Sequence, residues 1–120
     1  MTKSKKEEIQ HRIDYEIIVD AYGDHEVKMG WYYYMEEKLN FPFTATVEIE
    51  KRNGGKEMKK VEVLKMTGDE AFGEDMRVGV AFGEYIFEVP LLSLKNIEAD
   101  EGTLEAMGDW RYWKGDIEFD

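Results

Sequence analysis

The chain has 120 residues, 42% of them hydrophobic and 13% aromatic, which suits one domain with a single buried core. It has no cysteine, so disulfides, thiolate metal sites and cysteine nucleophiles are excluded, and its net charge is −11. That charge is unevenly placed: residues 1–65 hold 12 Lys/Arg against 13 Asp/Glu, whereas residues 66–120 hold 4 against 14.

Met1–Glu8 is lysine-rich without apolar spacing and is expected to fray. Ile9, Ile13 and Ile17 recur every fourth residue, which predicts one helix running to about Ala21. Gly23 is placed to close it in a left-handed conformation, and Asp24 to cap the next helix. In that second helix Trp31, Tyr34 and Met35 share a face by the i, i+3, i+4 rule. Glu36 and Glu37 lie about 100° apart around the axis, so one can face inward while the other stays wet. Pro42 lacks an amide donor and turns Phe41 away from helical angles, so the helix should stop near Asn40 and an extended segment begin at Phe43.

From Thr44 the apolar period falls to two, with Ala45, Val47 and Ile49 alternating with polar residues. Asn53-Gly54-Gly55 tolerates positive φ and predicts a reverse turn, and Val61 and Val63 resume the alternation. After a loop over Thr67–Asp75, a second hairpin runs through Met76, Val78, Val80 and Phe82, turns at Gly83-Glu84, and returns through Tyr85, Phe87 and Val89 to Pro90. Leu91–Leu94 is an apolar connector. Asp100 is placed to cap a last helix in which Leu104, Met107 and Trp110 step by three. The expected architecture is α+β: two N-terminal helices, a small antiparallel, barrel-like (SH3-like) sheet, and a C-terminal helix in one domain over 1–120.

Ile17–Ala45, with its IIVDAYGDHE and MGWYYYMEEKLNFPFTA pattern, resembles the calcium-binding protein family first described in cyanobacteria, the CcbP type. The segments VPLLSL and ADEGTLEAMGDWRYW are similar to the family's remaining signatures, so the resemblance runs from Ile17 to Trp113. It implies a small acidic domain with a helical start and a barrel-like sheet that binds Ca²⁺ without an EF-hand, as a buffer or sensor. The chain departs from the family in the loop between the hairpins, where Thr67–Asp75 replaces an Ala-Pro-Glu type turn.

Ca²⁺ takes about six to eight oxygen ligands from carboxylates, carbonyls and water. Thr67–Asp75 offers Asp69, Glu70, Glu74 and Asp75 around Gly68 and Gly73, although the EF-hand spacing fails and such turns are also common solvated connectors. Glu36 or Glu37 could meet Asp20 in a pocket rimmed by tyrosines; the plainer reading makes both ordinary exposed helix acids. Asp20 near a helix C-terminus is electrostatically disfavoured and asks for a reason, which a metal would supply. The candidate ligands are therefore Asp20, Glu36, Glu37, Asp69, Glu74 and Asp75. Asp100, Glu101 and Asp109 rank below them, Asp100 as a cap and Asp109 as a partly buried acid held by a hydrogen bond.

Enzymatic motifs are missing: His11 and His25 lack zinc spacing, no glycine-rich phosphate loop or nucleophile elbow occurs, and Ser4 and Ser93 have no triad. The acidic field disfavours nucleic acid and anionic lipid, no apolar run approaches the roughly 18 residues of a membrane span, and Met1–Arg12 is too polar for a secretory signal. The expectation is a cytoplasmic, non-enzymatic protein binding Ca²⁺. The alternative is an acidic interaction module docking a basic partner protein.

Overall fold

The computed structural model describes residues 5–68 and 72–115. Helix α1 (Lys5–Arg12) begins inside the stretch expected to fray, because its isoleucines have a core to cover. It continues as a π-helical turn over Ile13–Ile17, closed by the Ile18 amide donating to the Ile13 carbonyl at 2.9 Å. Four residues overshoot one α turn and undershoot the wider π turn, so the two offsets oppose each other and Ile9, Ile13 and Ile17 all stay buried. The helix ends at Ile17 rather than Ala21, and Asp20 takes a left-handed φ of 63° in the corner. Gly23 precedes α2 (Asp24–Lys38) as its N-cap with no side-chain cap, so Asp24 is the first helical residue and not the cap. Glu26 reaches back instead, its carboxylate accepting from the Tyr22 amide at 2.8 Å.

Trp31, Tyr32, Tyr34 and Met35 of α2 are buried. Glu36 and Glu37 are both exposed, which is the plainer of the two readings. The helix stops at Lys38, and β1 (Phe43–Glu50) starts at Phe43. It pairs with β2 (Lys56–Thr67) from Phe43↔Val63 to Glu50↔Lys56, around a turn in which Gly54 has φ 86°. Strands β3 (Arg77–Phe82) and β4 (Tyr85–Pro90) form the second hairpin through Gly83. A 3₁₀ turn over Leu91–Ser93 leads to β5 (Lys95–Glu98), a short strand beside β1 that periodicity does not predict. Helix α3 (Glu101–Trp113) is capped by Asp100, whose side chain accepts from the Thr103 amide at 3.2 Å.

The sheet order is β4-β3-β2-β1-β5. It is an open five-stranded antiparallel sheet, and the barrel-like expectation is corrected: β4 and β5 lie at opposite edges and do not pair. The α+β class stands. The core joins the isoleucines of the first helix, the aromatic face of α2, alternate sheet residues such as Val47, Val63 and Val80, and Ala106, Met107 and Trp110 of α3. Leu104 is 44% exposed, so the buried stripe of α3 runs one residue out of phase from the predicted one, through Thr103, Ala106, Met107 and Trp110. Among the described residues no helix is long and apolar enough to cross a membrane.

Candidate metal centre

The β2–β3 connection leaves the sheet at Thr67 and is tied down on both sides. Gly68 turns at φ 77°, a conformation natural to glycine, and its carbonyl accepts from the Tyr32 hydroxyl at 3.4 Å. At the far end both oxygens of the half-buried Asp75 are engaged: Oδ2 accepts from the Leu92 amide and Oδ1 from the Trp110 indole, each at 2.8 Å. The preceding Phe72 meets Trp110 edge-on at 5.8 Å, and the Lys28 ammonium lies 5.7 Å from its centroid. A carboxylate fixed this way holds its position and keeps lone pairs for a further cation.

The other predicted ligands are placed differently. Glu74 is exposed beside Asp75, and Asp69 lies outside the described residues. Asp20 is exposed in the corner before α2, and Glu36 and Glu37 point to solvent from the helix itself. Among the described residues no three His, Asp or Glu side chains converge on a common point. The donors around the loop are carboxylate and carbonyl oxygens, which in kind fit a hard cation.

The most deeply buried acid is Asp109, with 0% exposure. Arg12 clamps it with two bonds of 2.7 Å, Nε to Oδ2 and Nη2 to Oδ1, and the Tyr34 hydroxyl donates to Oδ2 at 3.1 Å. This fulfils and deepens the expectation of an acid held by hydrogen bonding. The Asp109 hydrogen bond holds the Arg12 guanidinium more firmly in its charged form. Burial, reinforced by the Asp109 charge, pushes the Tyr34 phenol well above its ordinary range. Held by the Arg12 guanidinium, which balances its charge, and by the Tyr34 hydroxyl, Asp109 ties three helices together.

An acidic α+β domain whose tethered glycine loop carries carboxylate and carbonyl oxygens has the donor chemistry of a small hard-cation-binding protein. The chain is a member of the CcbP calcium-binding family, whose model, described as calcium binding, matches residues 11–114. The crystal structure of Anabaena CcbP is similar at a TM-score of 0.81 and 39% identity, covering 93% of each chain. A calcium-binding protein in its calcium-binding form is similar at a TM-score of 0.77 and 39% identity, again over 93% of each chain. No curated protein matches.

Proposed function

We propose that this protein binds Ca²⁺ at the β2–β3 connection, as a buffer or sensor, with Asp69, Glu74 and Asp75 as the carboxylate donors. Membership of the calcium-binding family carries the reading. The locked Asp75 carboxylate supports its placement, since a pre-positioned ligand loses little freedom on binding. Asp20, Glu36 and Glu37, exposed elsewhere, supply field rather than ligation. On this reading the protein is cytoplasmic and acts by binding rather than by catalysis. Its acidic half repels nucleic acid and anionic membranes, and a basic protein docked there would be weakened by calcium.

Calorimetric titration of chelator-treated protein with CaCl₂, with MgCl₂ as control, tests it. Saturable heat is expected for Ca²⁺ and much less for Mg²⁺. Asp75→Asn and Glu74→Gln should each weaken binding by at least about tenfold, the lower end of what supporting residues of metal sites contribute. Glu36→Gln and Glu37→Gln should leave it unchanged. Dilution heat alone for Ca²⁺ would return the protein to the basic-partner reading, and undiminished affinity in both loop variants would move the site elsewhere.

A further inference from the structure

The sheet leaves two backbone edges open at one end. Strand β5 pairs with β1 only at Thr44 and Thr46. In an antiparallel ladder alternate residues turn their N–H and C=O groups to the same side, so those of Glu48 and Glu50 face outward beyond the reach of β5. Strand β4 is the opposite edge, and among the described residues no strand pairs with its outer side. Phe82 and Tyr85 flank the two-residue turn Gly83-Glu84, the bonded position of such a hairpin, so Ile86 and Glu88 turn their N–H and C=O groups outward. Pro90, next in phase, has no N–H to offer.

Both edges border one cavity of about 530 Å³, lined by residues 48–50 of β1, by Phe82 and by residues 85–87 of β4. Two strands separate β1 from β4, so the sheet curls at this end to bring them to a common space. The floor is apolar, with Ile49 and Phe87 half-buried and Phe82 36% exposed. Tyr85 and Ile86 stand at the rim, 75% and 69% exposed.

Free edges are ordinarily guarded by lysine, proline or a covering element. Strand β4 has no lysine, carries isoleucine at an outward position, and is guarded only at its far end by Pro90. The charges around it are acidic and uncommitted: Glu50, Glu84 and Glu88 form no ion pair among the described residues, and Glu48 meets Lys56 only at 3.9 Å. Lys51 and Lys59, the nearby cations of the first hairpin, are both engaged by Glu57.

We infer that the β4 edge takes an extended segment of a partner protein, alternating apolar and basic residues, as an added strand. Ladder bonds to Ile86 and Glu88 accept only an extended backbone, which excludes a docked helix. Side chains opposite Tyr85 and Phe87 fall on the apolar floor, and those opposite Ile86 and Glu88 lie on the other face, where Glu88 draws a basic residue. Glu48 and Glu50 add to the attraction from the far wall. The six residues of β3 put this end of the sheet about 20 Å from the β2–β3 connection, so the inference does not depend on the calcium reading.

The test titrates the intact chain, in chelator, with the capped peptide Lys-Val-Lys-Val-Lys-Val-Lys, following the backbone amide resonances of β4 by NMR. Saturable shifts are expected at Ile86 and Glu88. The same peptide N-methylated at its lysine amides keeps the charge but loses the donors that face β4, and should bind at least about tenfold more weakly. Lys-Lys-Val-Val-Val-Lys-Lys, with the same composition and no alternation, should also bind more weakly. Ile86→Lys, which sets a guard charge on an exposed position, should weaken the alternating peptide by at least about tenfold. No saturation, equal binding of the N-methylated peptide, or shifts around Asp75 instead of β4 would each overturn the proposal. So would β4 shifts that depend on protein concentration without peptide, which would assign the edge to a second copy of the chain. Should the variant fail to fold, the peptide series on the unmodified protein decides alone.

Discussion

Replacing Arg12 with methionine would remove the partner of a carboxylate that has nowhere to go. The Asp109 side chain is 1% exposed and that of Arg12 20%, so the acid is fully buried and only the arginine reaches solvent. Breaking a buried pair from one side costs about 3–5 kcal/mol, because the remaining charge stays desolvated. The Tyr34 hydrogen bond survives and offsets about 1 kcal/mol of that. The expected loss is about 3 kcal/mol, which at about 4 °C per kcal/mol for a chain of this length lowers Tm by about 12 °C. The exposed Lys60–Glu98 pair, at 3.0 Å with both side chains nearly two-thirds exposed, serves as the comparison. Lys60→Met should cost no more than about 1 kcal/mol. Denaturant unfolding of the two variants side by side gives the answer, and Arg12→Met, Asp109→Leu together should recover much of the loss, since an apolar replacement leaves no stranded charge. Equal small losses in Arg12→Met and Lys60→Met would refute the reasoning.

Three further outcomes follow from the same packing. In a spectrophotometric titration Tyr34 should ionise above the ordinary tyrosine range. Since its folded-state value lies above the unfolded value of about 10, its contribution to stability is complete below about pH 10 and is lost as pH rises beyond it; Tyr34→Phe should abolish that dependence. Gly30→Ala and Gly108→Ala should shift the urea midpoint in opposite directions: a Cβ on Gly30 would lie 2.5 Å from the Ile17 carbonyl oxygen, costing about 2 kcal/mol, whereas one on Gly108 meets nothing within 4 Å and gains up to about 1 kcal/mol of helix propensity. Trp110→Phe removes the Asp75 donor together with part of a fully buried indole, so it should cost at least about 2 kcal/mol and weaken Ca²⁺ in the calorimeter; unchanged affinity would separate Asp75 from the ion.

What could be read from the sequence was local. Alternation of apolar residues carries β1 to β4, and the step of three and four in Trp31, Tyr34 and Met35 carries the buried face of α2, because each signal is complete within a few residues. Strand β5 escaped because Lys-Asn-Ile-Glu has one apolar residue and owes its conformation to pairing with β1, some fifty residues earlier. Barrel closure was a statement about whether β4 meets β5, which no strand encodes in itself. Leu104 misled because leucine is the stronger hydrophobic signal, yet Thr103 is the residue turned inward, its hydroxyl accepting from the Asn40 amide at 2.9 Å. The acidic glycine loop was legible as a candidate site, and the membership of the calcium-binding family was legible in the long motif around α2. That Asp75 is locked by Trp110 and Leu92 was not, since a hydrogen bond across 35 residues leaves no periodic trace.

The latch between the first helix and the last also bears on how the protein is made. Arg12 leaves the ribosome 97 residues before Asp109, and Gln10 precedes Tyr112, which donates to it at 2.9 Å, by 102. The two hairpins can zip as soon as they emerge, but the amino-terminal helix must wait, its isoleucines uncovered, until α3 has been synthesised. Ordering of the helical layer is therefore later than pairing of the hairpins, and in the interval the nascent chain presents the apolar stripe that α3 will cover.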